Sequence, residues 1–205
     1  SKGNIKNIAD LRGKTITFGS LSPSHSFLLH ILNTAGMTTD DVNLLPAASP
    51  TIAAENFQNG LADAAVVWSP DDQTCLSSVE GSRVLTSTKT ASNLIYNVFL
   101  VRKEYLAKHS DRLVKFFEGW MVANAELKAG GEEVKEIVAQ ALVDNMGWTS
   151  LDEAKEAMGR VKFLTMGDNL NLFGMNPEYK GAKGQELWSK FSKLYRASGD
   201  IQKAP

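Results

Sequence analysis

The sequence predicts an α/β fold with a mainly parallel sheet, followed by a helical C-terminal region. Up to about residue 102, short β-rich runs alternate with helical stretches, which is the pattern of a parallel α/β layer. After residue 103 the strand signals fade, and apolar residues recur at spacings of three and four. We therefore expect an α/β region over residues 1–102 and a helical region over residues 103–205.

The first half of the chain is expected to contain both the sheet and the helices that cover it. Strands are predicted at residues 15–19, 42–46, 64–68, 83–86 and 96–101. Helices are predicted at residues 24–35, 51–59 and 70–79. Ser24 and Thr51 stand where N-caps are expected, and Gly36 and Gly60 stand where C-caps are expected.

The second half reads as a series of amphipathic helices. A first apolar stripe runs from Leu113 to Leu127 and is ended by the glycines at 130 and 131, and a second covers residues 134–142. Ser150 with Glu153 predicts a capping box for a third helix, and Leu187 begins the apolar stripe of a fourth. These stripes must pack on something. Either they cover the small sheet, or their partner lies outside these residues.

Composition excludes several classes of protein. The chain has 205 residues, of which 43% are hydrophobic and 22% charged, so it can bury a core and is not expected to be disordered. Its formal net charge is −1, without long runs of one sign. Because a basic patch is the electrostatic footprint of nucleic-acid binding, we expect no nucleic-acid partner.

Metal and membrane signals are weak in this sequence. Cys75 is the only cysteine and the three histidines have no ligand spacing, so neither an intrachain disulfide nor a metal site is predicted. No apolar run approaches the roughly 20 residues that span a bilayer, and the N-terminus lacks the apolar core of a signal peptide. The chain reads like the middle of a longer protein, with any export signal or anchor upstream.

A serine-rich loop at the predicted start of the first helix is the main candidate site. Ser20, Ser22, Ser24 and Ser26 cluster where backbone N–H groups have no intrahelical partner and the helix dipole favours negative charge. Hydroxyls there can donate to sulfonate, phosphate or carboxylate, so we expect an anion site. A simpler interpretation is that one serine caps the helix and the others are solvated. His25 could add a charge-assisted hydrogen bond, its pKa raised by a bound anion, or be an exposed loop residue.

Trp68 is a second candidate, because it follows a predicted strand at the edge where parallel sheets place ligands. Its indole could form an apolar wall and donate one hydrogen bond, or it could be an ordinary packing residue. Catalytic signals are lacking: there is no nucleophile elbow, no phosphate-binding loop and no dinucleotide fingerprint. We therefore expect neither an enzyme nor a cofactor.

Five segments carry a family resemblance: IADLRGKTITFG, SLSPSHSFLLHIL, AAENFQNGLADAAVVWSPD, NLIYNVFLVRKEYL and HSDRLVKFFEGW. Their order resembles the second lobe of type II periplasmic solute-binding proteins, the extracytoplasmic receptors of ATP-driven importers, and in particular the nitrate, sulfonate and taurine group. The tail segments MGDNLNLFG and GAKGQELWSKFSKLYRASGDI are similar to binding proteins fused to an outer-membrane protein A-type domain.

The resemblance implies noncovalent capture of a small, anionic solute in a cleft between two lobes, with a membrane permease of an ABC importer as partner. It implies a periplasmic or cell-surface location. Asn93 and Tyr96 lie near the implied return between lobes, where similar proteins contact ligand. The N-terminal part of the first lobe is expected to be absent, the helices after residue 103 to pack on that lobe, and the affinity of these residues alone to be weak.

Two alternatives use the same fold. One is an enzyme similar to thiamine pyrimidine synthases, which depend on a reactive histidine and a metal-binding cysteine cluster, whereas this chain has only Cys75. The other is the ligand-sensing domain of a transcription regulator, for which an upstream helix-turn-helix would decide. The identity of the ligand stays open, because hydroxyl-rich helix starts accept several oxyanions alike.

Overall fold

The computed structural model describes residues 1–90 and 94–202, and it divides into two compact units. One unit comprises the chain up to Tyr96 together with the segment from Gln185 onward, and the other is Asn97–Gly184. The C-terminal helix thus groups with the α/β unit. The domain boundary expected after residue 102 stays a prediction.

A three-stranded parallel sheet forms the centre of the first unit. Strand β1 (Thr15–Gly19) lies between β2 (Asn43–Ala47) and β3 (Ala64–Val66). Thr15 pairs with Asn43, and Ile16 pairs with both Leu44 and Ala64. Since parallel neighbours need a crossover, a helix follows each strand. This alternation confirms the predicted α/β class with a parallel sheet.

Three helices follow the strands at the expected places: α1 (Pro23–Thr34), α2 (Pro50–Gln58) and α3 (Asp71–Ser78). Gly36 and Gly60 each lie one residue past a C-cap, with φ of +67° and +77°. Glycine adopts this left-handed conformation at no steric cost, which is why it ends helices so often.

The predicted N-caps are wrong by two residues. Ser22 caps α1 and Ser49 caps α2, whereas Ser24 and Thr51 are already helical. In both cases a proline follows the cap and occupies the first helical position. Proline fits there because its fixed φ suits a helix and its missing N–H would have had no partner.

Two predicted strands, residues 83–86 and 96–101, are absent from the part of the chain that the structure describes, and β3 ends at Val66 instead of residue 68. Arg83 exchanges hydrogen bonds of 3.0 Å with the N-terminal residue Ser1, but no ladder continues from it. The side chain of Leu100 is 90% exposed. Both segments have β-forming residues, but β propensity yields a strand only where a neighbour completes the ladder.

The core of the α/β unit lies on both faces of the sheet. Ile16 and Phe18 of β1 pack with Leu28 and Leu32 of α1 on one face. On the other face, Phe57 of α2 is the centre of a smaller cluster whose remaining buried members are Ala54 and Cys75. The sheet is therefore held between α1 on one side and α2 with α3 on the other.

Helices make up the second unit: α4 (Lys103–Ala129), α5 (Glu132–Met146), α6 (Leu151–Met158) and α7 (Met166–Leu172). Helix α8 (Gly184–Ala197) follows, and Leu187 is its buried residue. The Ser150 hydroxyl accepts a 3.2 Å hydrogen bond from the Glu153 N–H, so Ser150 is the N-cap as predicted, but the predicted capping box is incomplete because the Glu153 carboxylate accepts from the Thr149 N–H instead of the Ser150 N–H. On α4, Phe116 and Trp120 of the predicted apolar stripe are half exposed. Among the described helices, none combines the length and apolar character needed to cross a membrane.

Candidate ligand-binding site

Three helices begin at the carboxyl edge of the sheet, and their starts touch one another. A Cβ placed on Gly19, the last residue of β1, would lie 3.1 Å from Pro50 Cδ and 3.1 Å from Ser22 Oγ. Farther along, Thr51 Oγ1 donates a 3.1 Å hydrogen bond to the carboxylate of Asp71. The carboxyl edge of an open parallel sheet is where α/β proteins place ligands.

Ser22 organises the first helix start through its hydroxyl group. Its Oγ accepts a hydrogen bond of 3.1 Å from the Ser24 N–H and donates one of 2.7 Å to the Gly19 carbonyl. Its own capacity to donate is therefore used within the loop. Ser20 is exposed, and its backbone N–H donates to Ala47 at 2.9 Å, which leaves its hydroxyl as the group that faces solvent.

The hydroxyl of Ser24 is buried without a hydrogen bond among the described residues. Its side chain is 1% exposed, and its Oγ has no partner within residues 1–90 and 94–202. In the same described residues the backbone N–H of His25 also has no partner. A buried polar group without a hydrogen bond costs free energy and calls for an explanation, such as a ligand that completes the bond.

His25 is buried, with an exposed fraction of 3%, so the simpler interpretation of an exposed loop histidine is wrong. Its ring centroid lies 4.6 Å from that of Phe18 and 4.9 Å from that of Tyr195. Burial lowers its pKa below the ordinary value of 6.5, and the carboxylate of Asp200 opposes this shift. The ring is therefore neutral near pH 7, and a charge-assisted bond from it to an anion stays a prediction.

The His25 ring supports the loop that precedes α1. Its Nδ1 accepts a hydrogen bond of 3.4 Å from the N–H of Leu21, so the neutral ring carries its proton on Nε2, 3.5 Å from Asp200. Leu21 has φ of +50°, which is the left-handed region that residues with a Cβ seldom adopt. Its side chain is 71% exposed. Such strain, held by the surroundings, is a common mark of ligand-binding loops.

The other predicted site residues fall into three groups. The Ser26 hydroxyl is hydrogen-bonded to the Tyr195 hydroxyl at 2.9 Å. Trp68 follows β3 by two residues at the same sheet edge, and its side chain is 49% exposed. Tyr96 is half-buried at the end of the first unit, and Asn93 lies outside the described residues. Ligand contacts by all of these residues stay predictions.

The three helix starts differ in the charge of their first turns. The first turns of α1 and α2 carry no acidic residue, whereas Asp71 and Asp72 occupy the first turn of α3. Because carboxylates already fill the positive end of α3, an anion is best placed at the starts of α1 and α2. Sequence reasoning missed Ser49 and Thr51 as members of this site. The Ser-Pro pairs at 22 and at 49 were the signal for them, since the third pair, at 69, is followed by Asp71 and Asp72.

Metal ligands are not gathered at this edge. Within the ranges that the structure describes, no group of three His, Cys, Asp or Glu side chains is placed to hold a metal ion. Cys75 is buried against α2, where burial raises the pKa of its thiol.

Comparison with known proteins finds relatives that are described as sulfonate-binding proteins. A putative aliphatic sulfonates-binding protein of Escherichia coli (strain K12) is 28% identical over 144 residues, covering 70% of this chain and 43% of that protein. The crystal structure of the periplasmic aliphatic sulphonate binding protein SsuA from Escherichia coli superposes with a TM-score of 0.68 at 22% identity, over 98% of this chain and 59% of that one. The alkanesulfonate-binding protein SsuA from Xanthomonas axonopodis pv. citri, bound to MOPS, gives a TM-score of 0.64 at 18% identity, over 98% and 63%.

These matches confirm the predicted fold and the predicted resemblance to periplasmic binding proteins. The chain spans 43% of the matched curated relative and about 60% of the matched solved chains. Residues 1–127, more than half of the chain, match the family described as NMT1/THI5 like. The chain belongs to the NMT1/THI5-like family.

Proposed function

We propose that this chain is the ligand-binding part of an extracytoplasmic solute-binding protein of an ABC importer, and that it captures a small anion noncovalently. The observation that carries the proposal is the first turn of α1, where the Ser24 hydroxyl and the backbone N–H of His25 are both unpaired among the described residues. Unpaired donors at a helix N-terminus form a favourable anion site. The names of the relatives, all sulfonate-binding proteins, support a sulfonate as the anion.

The proposed complex uses the starts of α1 and α2. The anion would accept hydrogen bonds from the Ser24 hydroxyl and from the N–H groups of His25 and Thr51. Ser20 would donate its exposed hydroxyl from the loop. An apolar substituent on the anion would lie against Trp68, whose half-exposed indole lies at this edge. Closure of a second lobe over this edge and docking to a membrane permease would complete the importer cycle, in the periplasm or at the cell surface.

Noncovalent capture agrees with the chemistry of the loop. A serine nucleophile needs an adjacent base to take its proton. The Ser22 hydroxyl instead donates to the Gly19 carbonyl, which cannot act as a base. The His25 Nδ1 accepts from a backbone N–H, so it is occupied as well. The proposed capture therefore forms no covalent bond between the protein and the anion.

A titration of backbone amide signals by NMR tests this function and detects even millimolar affinity. The probes are MOPS, ethanesulfonate, sulfate, phosphate and butyrate. We expect the sulfonates to shift the amide signals of residues 20–26 and 49–52. The absence of shifts from every probe, at concentrations up to about 50 mM, a range that covers weak binding near 1 mM, would refute the proposal.

Ser24→Ala separates binding from stability. Because it removes a buried hydroxyl that has no partner, it should leave the free energy of unfolding unchanged or higher. It should weaken sulfonate binding about tenfold or more, since a hydrogen bond to a charged group is worth about 1.5–3 kcal/mol. Ser77→Ala is the matched control, because Ser77 is exposed and lies in the last turn of α3, where its hydroxyl bonds only the Thr74 carbonyl. The control should bind like the unchanged protein.

A further inference from the structure

Helix α8 contacts the first turn of α1 from a distant part of the chain. The hydroxyl of Tyr195 lies 2.9 Å from Ser26 Oγ and 3.5 Å from the carbonyl oxygen of Ser22. The two contacts are compatible if Ser26 donates to the tyrosine and the tyrosine donates to Ser22. Burial raises the pKa of Tyr195, so its hydroxyl keeps its proton at neutral pH and can donate.

The contact falls on the residue that caps the helix. The Ser22 carbonyl also accepts the N–H of Ser26 at 3.1 Å, which is the first hydrogen bond of α1. Tyr195 is thus bonded to both residues that close this first turn. Ser24 and His25, which carry the unpaired donors, lie between them in the chain. A shift of Ser22 relative to Ser26 would move these donors.

The residues after α8 reinforce the same contact. The Asp200 N–H donates to the Tyr195 carbonyl at 3.0 Å, and the Ser198 hydroxyl donates to it at 3.1 Å. This turn brings the Asp200 carboxylate to 3.5 Å from His25 Nε2. The ring of Tyr195 meets the imidazole edge-on, with an interplanar angle of 77°. A phenylalanine would supply this ring contact equally well, so the hydroxyl has a separate role.

We propose that Tyr195 is a positioning residue of the anion site, which holds the first turn of α1 through Ser26 and Ser22 without touching the ligand. The inference rests on the proposed function. It also gives Ser26 a role other than direct contact, because its hydroxyl already has Tyr195 as a partner. Affinity for the anion would then depend partly on α8, whose Tyr195 lies 169 residues after Ser26 in the sequence.

Tyr195→Phe, Ser26→Ala and the double variant test the proposal on the whole chain, with MOPS as the probe. Tyr105→Phe is the matched control, because Tyr105 lies on α4 and its ring contacts His109. Each dissociation constant comes from an NMR titration. Hydrogen exchange of the amides of residues 24, 26 and 27 reports the order of the first turn independently of any ligand.

We expect Tyr195→Phe to weaken MOPS binding about two- to tenfold, the range of one neutral hydrogen bond. Amide exchange at residues 24, 26 and 27 should be faster, while exchange in the sheet is unchanged. The double variant should bind no more weakly than Tyr195→Phe alone, because that change already removes the bond to Ser26 together with the one to the Ser22 carbonyl. The Tyr105→Phe control should match the unchanged protein.

Other results would overturn the proposal. One is unchanged affinity together with unchanged exchange in Tyr195→Phe. Another is faster amide exchange throughout the α/β unit, which would mean that Tyr195 stabilises the whole unit and does not specifically position the first turn of α1. Additive losses in the double variant would show that Tyr195 does not act through Ser26. If the unchanged protein binds no probe, the proposed function fails. The exchange data still decide whether Tyr195 orders this turn.

Discussion

Gly19→Ala is the change that most directly tests how the helix starts fit together. Gly19 is the last residue of β1, and its backbone lies against both the α1 cap and the start of α2. An added Cβ would lie 3.1 Å from Pro50 Cδ, Pro50 N and Ser22 Oγ. We expect the methyl group to push the two helix starts apart and to lower both stability and anion affinity.

The size of the effect follows from these contacts. Carbon atoms pack best at about 3.5–4.0 Å, so the neighbours must retreat by about 0.4 Å or more. One of them is the backbone of Pro50, which cannot swing away as a flexible side chain can. Overpacking of this kind costs about 1–3 kcal/mol. Alanine returns about 0.5 kcal/mol by reducing the freedom of the unfolded chain, which leaves a loss of about 0.5–2.5 kcal/mol in the free energy of unfolding.

Urea unfolding followed by resolved amide signals gives the assay, because signals from α1 and α4 report the two units separately. Gly119→Ala is the matched control: Gly119 lies inside α4 with open space where its Cβ would stand. It should raise the stability of its unit by up to about 1 kcal/mol, since alanine is the better helix former. A Gly19→Ala protein as stable as the unchanged one, or more stable, would refute the close approach of the two helix starts.

Two further predictions concern the α/β unit. Phe57 is 2% exposed, so Phe57→Ala should lower the free energy of unfolding by about 3–5 kcal/mol, measured by urea unfolding; a loss below about 1 kcal/mol would contradict its place in the core. The pKa of His25 is lowered by burial, so the unfolded chain binds the proton more tightly. Its contribution to stability is therefore full above about pH 6.5 and falls as the pH drops below that value. Thermal unfolding at pH 7.5 and 5.5 should show a smaller difference for His25→Asn than for the unchanged protein, and an equal difference would contradict the assignment.

Local patterns predicted the parts of the fold that local interactions decide. The strand of β1 and the helix α1 follow from a β-rich run, a serine cap and a terminal glycine, all within about 20 residues, and all are present. The prediction of Ser24 as the cap is wrong, because Pro23 takes the first helical position and Ser22 therefore caps the helix. That error is local too, and the preference of proline for the first helical position would have corrected it.

Distant contacts decided the parts that sequence reasoning missed. Two interpretations of His25 were open, a hydrogen bond to an anion or an exposed loop residue, and the second is wrong because Tyr195 and Asp200 pack on it from the other end of the chain. No periodicity near residue 25 encodes that contact. The segment at residues 96–101, which the structure describes, lacks the predicted strand for a related reason. Its Phe99 ring packs 5.2–5.6 Å from the rings of Phe116, Phe117 and Trp120, so its apolar character serves side-chain packing without a strand.

Capping and anion binding are not competing explanations of the serine-rich helix starts. In α1 the Ser22 hydroxyl accepts from the second helical residue and leaves the N–H of the third, His25, without a partner among the described residues. In α2 the Ser49 hydroxyl accepts from the third helical residue and leaves the N–H of the second, Thr51, unpaired in the same described ranges. Each proline removes one donor and each serine occupies another, so one backbone N–H remains among the first three helical residues of each helix. Because Gly19 lies against both helix starts, these two donors would bind different oxygens of the anion in the proposed complex, an arrangement that a single helix start does not provide.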